Sequence, residues 1–141
     1  MLDRIIMDVQ PIARTTQMKP AAAARILIAD DDPSSRQLLR SILESSGYEV
    51  VEAEDGIQVL ERAPDFAPDL VILDIQMPKM DGIDAAKALR NIPSFDNTPI
   101  VALTAASSCL LPEDISQTSF TRYLIKPIGP AKLRECISEL L

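Results

Sequence analysis

A chain of 141 residues that is 47% apolar and 25% charged fits one domain with a real core, which excludes collagenous, low-complexity and wholly disordered classes. Its 14 basic and 21 acidic residues leave a net charge of −7, and it has no histidine. Binding to nucleic-acid backbones or anionic membranes is disfavoured, and imidazole-based triads, zinc sites and general bases are excluded.

Residues 1–24 carry Pro11 and Pro20, end in four alanines and lack a clean period, so they read as an extension or linker. Leu2, Ile5, Ile6 and Val9 could line one face of a short helical turn that needs something to pack on. This stretch has no compact apolar core before a cleavage site, and no run in the chain reaches the roughly 18 to 20 residues of a membrane span. Membrane insertion is not expected, and a cytoplasmic location is. Cys109 and Cys136 have no metal-ligand or redox spacing and receive no function.

From Arg25 to Leu141 apolar runs of strand length alternate with amphipathic stretches of helix length, which predicts repeated βαβ units in one domain. Ile26 to Ala29 forms the first strand, followed by a helix from Pro33 to Ser46 with Leu38, Leu39, Ile42 and Leu43 at helical spacing, closed by Gly47. Tyr48 to Ala53 is the second strand and Gly56 to Ala63 the second helix, with Pro64 and Pro68 as breakers. Leu70 to Leu73 is the third strand, and Asp81 caps a helix that carries Ile83, Ala86 and Leu89 and ends near Asn91. Ile100 to Leu103 and Tyr123 to Ile125 are the last two strands, and Pro130 opens the terminal helix. Continuous apolar strands between helices predict a doubly wound parallel sheet with helices on both faces, an α/β fold whose functional crevice lies at the carboxyl ends of the strands.

Chemistry gathers at those ends. Asp30 and Asp31 close the first strand, Asp74 the third, Thr104 the fourth and Lys126 the fifth. Carboxylates a few ångströms apart repel strongly enough that one takes a proton or the group takes a cation, and hard oxygen ligands suit Mg²⁺. Asp32, beyond the strand, reads as a helix cap.

The runs ILIADDDP from Ile26, LVILDIQMPKMDG from Leu70, VALTA from Val101 and YLIKP from Tyr123, in this order and spacing, resemble the receiver domain of two-component response regulators, of the single-domain type found in chemotaxis. The resemblance runs from about Arg25 to Leu141 and implies a flavodoxin-like strand order 2-1-3-4-5. It implies that Asp74 is the phosphoacceptor, that Asp30 and Asp31 hold Mg²⁺ with Asp74 and the backbone carbonyl of Gln76, and that Thr104 and Lys126 contact the phosphoryl group. It further implies that Tyr123 is a switch residue paired with Thr104 and that Pro127 follows a cis bond. The implied donor is a histidine kinase or a histidine phosphotransfer protein, and any catalysis is confined to the domain's own phosphorylation and dephosphorylation. Ala105 is small enough to leave the phosphate accessible.

Between Ser107 and Arg122 the sequence departs from the family pattern. Pro112 and a weak apolar period predict a short or displaced helix there, and Ser119 stands where relatives often carry glycine. No output domain is expected after Leu141, because the last helix uses up the chain. Three other readings compete. An aspartate-based phosphohydrolase would need a second aspartate where Gln76 stands, and a flavodoxin-like cofactor carrier would need a hydroxyl- and glycine-rich loop where Asp30, Asp31 and Asp32 would repel phosphate. A receiver fold used as an unphosphorylated interaction module keeps the same residues without the chemistry, and Mg²⁺ binding discriminates it.

Overall fold

A computed structural model describes residues 23–105 and 119–141. Five strands, β1 (Arg25–Ala29), β2 (Glu49–Ala53), β3 (Leu70–Asp74), β4 (Ile100–Ala105) and β5 (Arg122–Lys126), form one sheet in the order β2-β1-β3-β4-β5. Every pairing is parallel. This is the flavodoxin-like order, in which the direction of strand addition reverses between β1 and β3 while all strands stay parallel.

The central strands β1, β3 and β4 are apolar on both sides because both sides are covered. Ile26, Ile28, Leu70, Ile72, Val101 and Leu103 meet α1 (Pro33–Ser45) and α4 (Pro130–Leu140) on one face. Leu27, Ala29, Val71, Leu73 and Ala102 meet α2 (Gly56–Phe66) and α3 (Gly82–Arg90) on the other. Alternation with period 2 along each strand assigns neighbours to opposite faces, so a register slip of one residue would invert both cores.

Local capping chemistry starts three of the helices. Asp32, Asp55 and Asp81 accept backbone N–H groups from Ser34, Gln58 and Asp84, each in the first turn of the helix it precedes. Pro130 opens α4 without a side-chain cap. Gly47, at φ 96, turns the chain out of α1 towards β2.

Two details differ from the sequence expectation. The second helix does not stop at Ala63 but continues through Pro64 to Phe66. Proline removes a single N–H late in the helix, which costs one bond to the carbonyl of Leu60, and the true stop comes where Ala67 turns left-handed at φ 52 before Pro68. Leu38 shares helical spacing with Leu39, Ile42 and Leu43, yet it is 57% exposed while those three are buried. The short helix expected around Pro112 lies outside the described residues.

Beyond α3 a single 3-10 turn (Pro93–Phe95) leads to β4, and Arg90 ties this loop down. Its guanidinium donates to the carbonyls of Phe95, Thr98 and Ser119, the last through two nitrogens at 3.1 and 2.9 Å. Burial lowers the pKa of Arg90, and the nearby Asp96 charge opposes that shift. Among the described residues no helix is long and apolar enough to cross a membrane.

Candidate functional site

The carboxyl ends of β1, β3 and β5 converge because β1 and β3 are direct neighbours and β5 lies one strand beyond β4. Lys126, last residue of β5, sends its ammonium to Asp30 Oδ2 at 2.9 Å and to Asp74 Oδ2 at 3.0 Å. The second oxygen of each carboxylate accepts a backbone N–H two residues on: Asp32 donates to Asp30 at 2.9 Å and Gln76 to Asp74 at 3.1 Å. Asp30 is fully buried and Asp74 and Thr104 nearly so, whereas Asp31 is exposed. Carboxylate oxygens of Asp30, Asp31 and Asp74 all lie within 4.8 Å of one another.

The electrostatics are divided unequally. Burial works against the charge on Asp30, but the Ser35 hydroxyl, the Asp32 N–H and the Lys126 ammonium outweigh it and hold this carboxyl below the ordinary range. Burial raises the pKa of Asp74; Lys126 opposes the rise and the charge of Asp30 adds to it. Lys126 also loses hydration, yet its two carboxylate partners raise its pKa and keep it charged. One ammonium thus lies between two buried carboxylates, and a third carboxylate faces solvent beside them.

The remaining expected residues surround this group. Thr104 pairs in register with Ile125, and Ala102 with Tyr123, so the Thr104 and Tyr123 side chains belong to the same face of the sheet two register steps apart. Among the described residues the Thr104 hydroxyl makes one long bond, 3.4 Å, to the carbonyl of Ala105. Tyr123 is 38% exposed on β5. Gln76 follows Asp74 on the exposed side of the site, and the Lys126–Pro127 peptide is cis.

Three contributors escaped the sequence reading. Gly82 brings the start of α3 onto the backbone of Asp74, where its N–H donates to the Ile75 carbonyl at 2.9 Å. Arg36 reaches back to the carbonyl of Asp30 at 2.8 Å, and Glu52 on β2 holds Arg36 at 2.9 Å. A glycine after the Asp81 cap and a basic residue in the first turn of α1 were visible as residue types, but their targets are not neighbours in sequence.

The residues in hand fit a divalent cation by the chemistry of the donor set: three hard carboxylate oxygens, two of them buried, with a single ammonium to offset them. They also fit phosphate chemistry, since a buried carboxylate stands beside a lysine and a hydroxyl.

The chain is similar to known proteins along most of its length. The family model of the response regulator receiver domain matches residues 26–138. The transcriptional regulatory protein PdtaR of Mycobacterium tuberculosis is 42% identical over 120 residues, 84% of this chain, and the chain spans 57% of that protein's length. The chemotaxis protein CheY4 of Vibrio cholerae superposes with a TM-score of 0.80 at 34% identity, over 85% of this chain and 100% of its own. The receiver domain of the sensor histidine kinase PA1611 from Pseudomonas aeruginosa, solved with a magnesium ion coordinated in its active site cleft, gives a TM-score of 0.78 at 30% identity, over 84% of this chain and 98% of its own.

Proposed function

Because the chain belongs to the response regulator receiver domains of two-component signalling, we propose that it takes a phosphoryl group from a histidine kinase or histidine phosphotransfer protein onto Asp74. The observation that carries this reading is the Lys126 ammonium held at 2.9 and 3.0 Å from the buried carboxylates of Asp30 and Asp74. An isolated structural lysine has no reason to end between two acids in a crevice that also gathers Asp31 and Thr104.

In the reaction, a carboxylate oxygen of Asp74 attacks the phosphorus of the donor's phosphohistidine. The new O–P bond forms as the N–P bond breaks, and the imidazole leaves with that electron pair. Lys126 opposes the desolvation that raises the pKa of Asp74, and it is within reach of a phosphoryl oxygen once one arrives. Thr104, at the end of the neighbouring strand, supplies a hydroxyl to the same group. Asp30, Asp31 and Asp74, with the backbone carbonyl of Gln76, would hold Mg²⁺. Bound there, the ion supplies neutralisation of charge on the equatorial oxygens, the main demand of phosphoryl transfer.

Access for the donor is supported by the face beside Lys126. Leu38, exposed on α1, fronts a groove with Leu39, Ile42, Pro127 and Ile128 that opens next to the ammonium. A histidine-bearing helix can dock its apolar side there. Receivers are signalling domains, so the catalysis assigned to this chain is limited to its own phosphorylation and dephosphorylation, and its place of work is the cytoplasm. The output step is a switch: phosphate on Asp74 draws Thr104 inward, and Tyr123 follows.

The test is phosphorylation by acetyl phosphate or phosphoramidate with Mg²⁺, read by intact mass. One added phosphoryl group is expected, and none on Asp74→Asn. Undiminished labelling of that variant overturns the assignment.

A further inference from the structure

The ladder between β1 and β2 ends with Ala29 opposite Ala53, and Asp30 is the first residue past it. Asp30 is nonetheless held at every polar atom. Its N–H donates to the Ala53 carbonyl at 3.2 Å, its carboxylate accepts from Asp32 and Lys126, and its carbonyl accepts from Arg36 Nη1 at 2.8 Å. That carbonyl belongs to the peptide that begins Asp31. Fixing it fixes the plane from which the Asp31 side chain departs.

Asp31 has no such support of its own. Its carboxylate makes no hydrogen bond or ion pair with any described residue, yet it reaches within 4.8 Å of the oxygens of Asp30 and Asp74. Its aim therefore comes from the backbone. Arg36 is itself a fixed donor: it lies in the first turn of α1, its side chain is only 12% exposed, and its Nε donates to Glu52 Oε1 at 2.9 Å. Glu52 sits opposite Ile28 in the β1–β2 register, one pair before the ladder ends, and its other oxygen accepts from Arg40 at 2.7 Å. A planar guanidinium that spans a carboxylate and a carbonyl is a rigid link between β2 and the acidic turn.

We propose that Arg36, braced by Glu52, is a positioning residue for the cation site: it locks the Asp30–Asp31 peptide so that the Asp31 carboxylate faces those of Asp30 and Asp74. The inference rests on the Mg²⁺ site proposed above and assigns a determinant of its affinity outside the ligands. Its sign separates it from simple electrostatics. A guanidinium near a cation site repels the cation, so by charge alone removal of Arg36 tightens Mg²⁺ binding. Loss of positioning weakens it, as does loss of the groups that orient metal ligands in other sites.

The experiment is calorimetric titration of Mg²⁺ into the full chain at fixed ionic strength, comparing the parent with Arg36→Met and Arg36→Lys under conditions where urea unfolding shows each fully folded. Arg36→Met should bind about tenfold more weakly. Arg36→Lys, which keeps the charge but loses the fork that spans Glu52 and the carbonyl, should fall between it and the parent. Binding by Arg36→Met as tight as the parent's, or tighter, overturns the inference while leaving the Mg²⁺ site intact. If Arg36→Met does not fold, Arg36→Lys decides, and an unchanged affinity in that variant overturns it. A parent that binds no Mg²⁺ at millimolar concentration removes the metal site itself and this inference with it.

Discussion

Gly82 packs against the backbone of Asp74 so closely that a methyl group at its α carbon would press on the Asp74 carbonyl oxygen and stand 2.9 Å from the α carbon of Ile75. The start of α3 is thereby seated on the end of β3, and the turn that carries Asp74 has no room to shift. Gly82→Ala should destabilise the protein by about 2 kcal/mol, within the usual range for overpacking against an unyielding backbone. Urea unfolding checks the stability, and the phosphorylation rate with acetyl phosphate should fall as Asp74 is displaced.

Asp31 is exposed and carries no ion pair among the described residues, so the metal-free fold gains little from it. Asp31→Ala should leave metal-free stability unchanged or slightly raised, since a like charge beside Asp30 and Asp74 is removed. Mg²⁺ affinity should drop sharply. The pair of measurements is an unfolding curve without metal and a Mg²⁺ titration.

Glu52 responds to acid in a defined direction. Its pKa is lowered by the hydrogen bond from Arg40, with Arg36 adding to the effect and partial burial opposing it. A carboxyl whose folded pKa is depressed contributes stability that is present above its unfolded value, near 4.3, and is lost as pH falls through the lower folded value. Glu52→Gln should therefore be less stable than the parent at pH 7 by about 1 kcal/mol, and the difference should fade below the ordinary glutamate range. Unfolding free energies at several pH values test the sign.

Ser119 adopts φ 130 with its carbonyl clamped by Arg90, a backbone region that side chains rarely occupy. The clamp holds a strained residue at the return into β5. Ser119→Gly removes the strain and should stabilise the protein by about 1 kcal/mol despite glycine's larger unfolded entropy. A higher urea midpoint with unchanged slope is the expected reading.

Tyr123 should report the switch. The residue is 38% exposed and shares a sheet face with Thr104, so inward movement of the hydroxyl leaves space on its own side. With beryllofluoride and Mg²⁺ the ring resonances should move to a more buried environment, and Thr104→Ala should weaken that change. An unchanged ring beside clear ligand binding means that output takes another route.

The sequence by itself determined the parts of this protein whose causes are local. Asp32, Asp55 and Asp81 cap helices because a short acid side chain reaches the N–H groups of the next turn. Apolar runs closed by Asp30, Asp74, Thr104 and Lys126 were legible as strand ends, because a strand buried on both faces must be continuously apolar and must stop where polarity begins. The order of the strands was available only through family resemblance. The tertiary structure alone decided which groups meet. Lys126 bonds Asp30 across 96 positions and Asp74 across 52, Arg36 finds a carbonyl rather than only a carboxylate, and Gly82 is required by a backbone eight residues earlier. It also decided that Leu38 stays outside the core and that α2 runs past Pro64, since packing geometry and a single lost hydrogen bond have no fixed expression in periodicity. Residue type announces what a side chain can do, whereas sheet register and helix seating determine what it does it to.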